Sequence, residues 1–130
     1  MVNTEEHSKS RKEFILIVVA DLAYGFNLVA FLCQKTPYEV FVATERYQAM
    51  DFLKFIVPVL FILDEQLPGM NGLELFDLLH AQETFRTIPA IMFSRCDPRH
   101  EQQMSQRPFK TLKKPVKPDE LLACIQQILT

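Results

Sequence analysis

The chain has 130 residues, of which 48% are apolar, and a formal net charge of −2. That is one ordinary domain with enough apolar material for a packed core, which excludes a disordered class. No apolar run is long enough to cross a bilayer, and no basic block forms the concentrated face that nucleic acid requires, so neither membrane nor nucleic acid is an expected partner. Residues 1–12 (MVNTEEHSKSRK) lack a signal-peptide core and read as a flexible tail, leaving 13–130 as the folded domain. Cys33, Cys96 and Cys124 show neither metal-ligand nor disulfide spacing, which points to a reduced cytoplasm.

Residues 14–19 (FILIVV) are a fully apolar run, the mark of a strand covered on both faces, and the run ends at Ala20-Asp21. A helix is expected over 23–34, with Phe26, Val29, Ala30 and Cys33 as its apolar face, closed by Thr36-Pro37. A short strand (EVFVA) follows at 39–43. Thr44 is placed to cap the next helix, whose apolar side is Tyr47, Met50, Phe52, Leu53 and Ile56. Residues 59–63 (VLFIL) form the central strand, which stops at a carboxylate, Asp64. After the Pro68-Gly69 turn, Asn71 is placed to cap a helix running to about Ala81, with Leu73, Leu75, Phe76 and Leu79 inward.

Residues 83–87 read as a polar connection, and 89–93 (PAIMF) as a fourth strand ending at Ser94. Residues 96–108 hold one mid-segment apolar residue, Met104, and are expected to be short, mobile or irregular, the least protected part after the tail. A last strand at 109–113 precedes Lys114-Pro115. Pro118 then opens a final helix that turns Leu121, Leu122, Ile125, Ile128 and Leu129 inward. Five strands alternating with helices predict an α/β domain, a parallel sheet with right-handed crossovers and helices on both faces.

Four strand ends carry polar groups: Asp21, Asp64, Ser94 and Lys114. In a parallel sheet these ends share one edge, where open α/β sheets hold ligands. Two close carboxylates repel unless a hard cation neutralises them, and Mg²⁺ accepts one or two carboxylates while keeping waters and room for a phosphate oxygen. A lysine and a hydroxyl opposite would hold other phosphate oxygens. The residue types point to phosphoryl chemistry on or near a carboxylate. His7, His80 and His100 share no spacing and read as surface residues.

From about Lys12 to Leu129 the chain resembles the receiver domain of two-component response regulators. The matching stretches are FILIVVAD, VLFILDEQLPGMNGLEL, IPAIMFS, and LKKP followed by VKPDELL. The resemblance implies a flavodoxin-like, doubly wound, five-stranded parallel sheet of order 2-1-3-4-5. It implies that Asp64 accepts a phosphoryl group from a histidine kinase or phosphotransfer protein, and that Asp21, Asp64 and the backbone carbonyl of Gln66 bind Mg²⁺. It implies that Ser94 is the switch hydroxyl, that Lys114 pairs with the phosphate, and that the bond before Pro115 is cis. Output would pass to a downstream partner protein, with no enzymatic activity beyond self-catalysed phosphoryl transfer to Asp64 and its hydrolysis.

The chain also departs from the family. Ala20 replaces one acidic residue, which implies weak Mg²⁺ binding, and Thr111 stands where an aromatic switch residue is usual. The distance from Ser94 to Lys114 is short, and residues 96–108 lack an apolar stripe. These features favour the alternative, a pseudo-receiver that binds proteins without phosphorylation. A phosphatase would want an acid at position 66 to protonate its leaving group, and Gln66 is not one. A flavin protein would want a phosphate loop richer in Ser, Thr and Gly than ADLAYG.

Overall fold

Five short strands pair in parallel in a computed structural model that describes residues 12–95, 102 and 106–130. In chain order they are β1 (Phe14–Val18), β2 (Glu39–Ala43), β3 (Leu60–Asp64), β4 (Ala90–Ser94) and β5 (Lys110–Lys113). The helices are α1 (Leu22–Lys35), α2 (Arg46–Phe52), α3 (Gly72–His80) and α4 (Pro118–Leu129). The sheet order is β2-β1-β3-β4-β5, as the resemblance implied. Expected and observed strands agree within a residue at each end. The expected tail lies outside the described residues but for Lys12, as does most of 96–108.

Side chains alternate across a strand, so each buried strand feeds two cores. Leu16, Val18, Phe61, Leu63 and Met92 face α2 and α3, where they meet Ala49, Leu73, Leu75, Phe76 and Leu79. Ile15, Ile17, Leu60, Ile62, Ile91 and Phe93 face α1 and α4, where they meet Leu28, Leu32, Leu121 and Ile125. Every residue of β3 is buried, which accounts for its unbroken apolar run.

The buried face of α1 is not the one the spacing predicted. Gly25, Leu28 and Leu32 are buried, whereas Phe26 is 56% exposed and Cys33 is also exposed. The helix is apolar nearly all round, so periodicity does not choose its face; close approach at Gly25 does. A Cβ on Gly25 would lie 2.5 Å from Val42 Cγ2 and 3.0 Å from Val19 Cγ2. Gly25→Ala would gain about 1 kcal/mol of helix propensity but push against two stiff β-branched side chains, which costs about 1–3 kcal/mol. The expected result is a net loss of about 1 kcal/mol, read as a lower Tm; a higher Tm would show that α1 has slack against β1 and β2.

Three smaller expectations are corrected. The cap of α2 is Glu45, not Thr44: its carboxylate accepts from the N–H groups of Tyr47 and Gln48 at 2.9 and 2.7 Å, while Thr44 bonds the Gln48 side chain. The helix ends at Phe52, and Tyr47 is exposed. The polar connection after α3 hides Phe85, which is buried edge-on against Phe61. Asn71 caps α3 as expected, accepting from the Glu74 N–H at 2.8 Å, and Pro118 opens α4.

Arg107 ties the approach to β5 onto α3 through paired bonds of 2.9 and 2.8 Å to the two carboxylate oxygens of Asp77. That hydrogen bonding lowers the Asp77 pKa from its ordinary 3.8, against a smaller opposing effect of burial. A depressed carboxylate pKa contributes stability above the unfolded value and loses it as pH falls through the folded one. The Asp77 side chain is half exposed, so Asp77→Asn should cost about 0.5–1 kcal/mol at pH 7. The gap from wild type should narrow as pH falls below 3.8 and through the lowered folded value; chemical denaturation at pH 7 and in that acid range measures it, and an equal gap in both would refute the pairing.

Candidate functional site

Asp64 is the last residue of β3 and is buried, 7% exposed. Alternation puts its side chain on the sheet face of Leu60 and Ile62, toward α1 and α4. Lys114 follows β5 with the same parity as Leu112, which also packs on that face. The Lys114 N–H donates to the Ser94 carbonyl at 2.8 Å, prolonging the β4–β5 pairing, and its peptide bond to Pro115 is cis, as the resemblance implied. Its ammonium lies 2.6 Å from Asp64 Oδ1. The same oxygen accepts from the Gln66 N–H at 2.8 Å. Both charges are largely withdrawn from water, where a charge-assisted bond is stronger than at the surface.

Asp21 arrives differently from the expected strand end. The register pairs Val18 with Leu63, so Val19 lies at the level of Asp64 and Asp21 lies two residues further on. There it is the N-cap of α1, its Oδ1 accepting from the Tyr24 N–H at 3.2 Å. Asp21, Tyr24, Asp64, Arg95 and Lys114 line one open cleft of about 530 Å³. Tyr24 also packs edge-on to Phe93, and its phenol pKa is raised, first by burial and then by the negative charge of Asp64.

Ser94 does not join them. Its parity follows Met92, toward α2 and α3, and it is fully buried. Its hydroxyl donates to Glu65 Oε2 at 2.6 Å. The expected convergence of four polar strand ends therefore holds for Asp21, Asp64 and Lys114, while the serine is turned to the other face. The sequence pattern also gave no sign of Tyr24, three residues past the cap, or of Glu65, just past the central strand.

Among the described residues no group of three acidic, His or Cys side chains could cage a metal. The residues present still fit Mg²⁺, which takes one or two carboxylates and keeps waters. Asp64 and Asp21 border the same cleft, and each has one carboxylate oxygen bonded by protein and a second without a protein hydrogen bond among the described residues.

The family model described as "Response regulator receiver domain" matches residues 15–126. The chain belongs to that family. The receiver is 29% identical over 119 residues to the phosphate regulon transcriptional regulatory protein PhoB of Klebsiella pneumoniae, covering 88% of this chain and 51% of that protein. It thus spans about half the length of the curated PhoB relatives it matches. Among solved structures, the signal receiver domain of a histidine kinase from Syntrophus aciditrophicus is 28% identical with a TM-score of 0.79, covering 90% of this chain and 89% of that one. The receiver domain of a sensor histidine kinase from Pseudomonas aeruginosa, which has magnesium coordinated in its active site cleft, shares the fold at 23% identity and a TM-score of 0.77, covering 92% and 99%. A receiver domain is a signalling module of two-component systems. No helix among the described residues is long and apolar enough to cross a membrane.

Proposed function

We propose that this receiver is phosphorylated on Asp64 by a histidine kinase or phosphotransfer protein and signals through a partner protein. The observation that carries the reading is the Lys114 ammonium 2.6 Å from Asp64 Oδ1, at the end of a buried strand and on the wall of an open cleft. Phosphoryl transfer depends mainly on positioning and charge neutralisation, and a carboxylate facing a phosphate dianion needs both. Lys114 and the Gln66 N–H hold and orient the Asp64 carboxylate, one oxygen of which attacks phosphorus. The new O–P bond makes an acyl phosphate as the bond from phosphorus to the donor atom breaks, and the donor departs with that electron pair.

Asp21, Asp64 and the Gln66 backbone carbonyl would hold Mg²⁺, which when bound neutralises charge on the incoming phosphate. The magnesium in the Pseudomonas receiver supports this reading. With Ala20 in place of a carboxylate, binding at millimolar levels is expected, and Asp21→Asn should weaken it several-fold. Titration of Mg²⁺ against the tyrosine fluorescence or by NMR measures this; affinity unchanged by Asp21→Asn would remove Asp21 from the metal site.

The test of the function is mass spectrometry after incubation with acetyl phosphate and excess Mg²⁺. One added phosphoryl group on Asp64 is the expected result. No label from acetyl phosphate or from a panel of phosphorylated kinases would leave a phosphorylation-independent binding module.

A further inference from the structure

Glu65 is a buried carboxylate with no part in the transfer described above. It is 8% exposed, and neither it nor Ser94 lines the cleft that holds Asp64. Its backbone is clamped from two sides: its N–H donates to the Phe93 carbonyl at 2.9 Å, and its carbonyl accepts from the Gly72 N–H at 2.9 Å. The Ser94 backbone is held as firmly, by pairing with Lys113 of β5 and by the Lys114 N–H. Only side-chain rotation can therefore part Ser94 Oγ from Glu65 Oε2, now 2.6 Å away.

A serine hydroxyl has one proton to donate. While it is given to Glu65 it cannot be given to a phosphoryl oxygen, and strand parity places the two recipients on opposite faces of the sheet. We infer that Glu65 is a positioning residue that holds the Ser94 hydroxyl away from Asp64, so that a phosphoryl group on Asp64 gains Ser94 as a donor only by breaking the Glu65–Ser94 bond. This deepens the reading of Asp64 as phosphoacceptor and rests on it. Glu65 thereby sets the threshold of the switch: hydrogen bonds to ionised groups are the stronger class, and this one must be given up on activation.

The experiment measures binding of beryllofluoride, a non-transferable stand-in for a phosphoryl group, with Mg²⁺ present. Alongside it, NMR couplings report the Ser94 χ1 rotamer in the unliganded protein. Glu65→Leu should bind beryllofluoride about tenfold more tightly than wild type, the change expected on losing a charge-assisted bond, and its Ser94 χ1 populations should shift from those of wild type. Glu65→Asp keeps the charge but is one methylene short of Ser94. It should behave like Glu65→Leu, and wild-type affinity and χ1 in Glu65→Asp would overturn the inference in favour of simple charge repulsion.

Glu65→Gln keeps the shape and a weaker neutral acceptor, folds if Glu65→Leu does not, and should fall between leucine and wild type. In a Ser94→Ala background the Glu65 substitutions should give no gain; an undiminished gain there would refute the coupling. If beryllofluoride binds none of the proteins, the phosphoacceptor reading fails and χ1 alone decides the latch, with an unchanged rotamer in Glu65→Leu and Glu65→Asp overturning it.

Discussion

Replacing Gly72 with alanine is expected to lower Tm by about 10 °C or more. Gly72 is the first residue of α3, and its N–H donates to the Glu65 carbonyl. The helix therefore starts directly on the Glu65 carbonyl, one residue past Asp64. A Cβ at Gly72 would lie 2.3 Å from the Asp64 carbonyl oxygen, 2.8 Å from its carbonyl carbon and 2.9 Å from Glu65 Cα. All three are backbone atoms of a buried segment, so no side chain can turn aside to make room, unlike the Val42 methyl facing Gly25. The helix-propensity gain of up to about 1 kcal/mol is outweighed by overpacking that costs roughly 3 kcal/mol or more. The alternative response, lifting α3 off the sheet, would expose Leu73 and Phe76, which costs a similar amount through lost burial. Thermal unfolding followed by circular dichroism measures the change. A Tm within about 2 °C of wild type would show that the Asp64–Glu65 peptide yields freely, which would also weaken the clamp invoked for Glu65.

The central strand was legible because burial on both faces forces an unbroken apolar run, and such a run ending at Asp64 has few structural meanings. Parallel pairing then placed Asp21, Asp64 and Lys114 at one edge without further information. What the sequence did not reveal follows from two physical causes. Where a helix is apolar nearly all round, as α1 is, its buried face is chosen by close backbone approach, and the decisive residue is a glycine that carries no hydropathy signal. Where a strand continues past its apolar run, parity still governs the next side chain. Glu65 follows Leu63 onto the face of α3, and Ser94 follows Met92 onto the same face. A reading that ends the strand at the carboxylate loses that alternation and so loses the pair. Phe85 was hidden by its polar neighbours, since one aromatic in a short connection has no period to betray it.

Asp64→Asn should abolish phosphoryl labelling, while Lys114→Ala should slow it by roughly a hundred- to a thousandfold, a range set by the usual effect of deleting one preorganised electrostatic group. The two effects differ in kind. An amide at position 64 has no anionic oxygen to attack phosphorus, so no donor concentration or Mg²⁺ level restores the label. In the proposed transfer Lys114 would supply neutralisation and orientation through its 2.6 Å bond to Asp64 Oδ1. Without it the Gln66 N–H still binds Oδ1 at 2.8 Å, so the nucleophile keeps one of its two protein donors. The folded state should register the same difference. Lys114→Ala leaves the buried Asp64 carboxylate without its counter-ion, and Asp64→Asn leaves a partly exposed ammonium facing a neutral amide. Since an unpaired buried charge is costlier than a wetter one, Lys114→Ala should lose about 1–2 kcal/mol more stability than Asp64→Asn. Labelling by acetyl phosphate followed by mass spectrometry, with chemical denaturation of each variant, checks both. Residual label on Asp64→Asn would place the acceptor elsewhere, and a Lys114→Ala protein labelled at the wild-type rate would show that the ion pair takes no part in transfer.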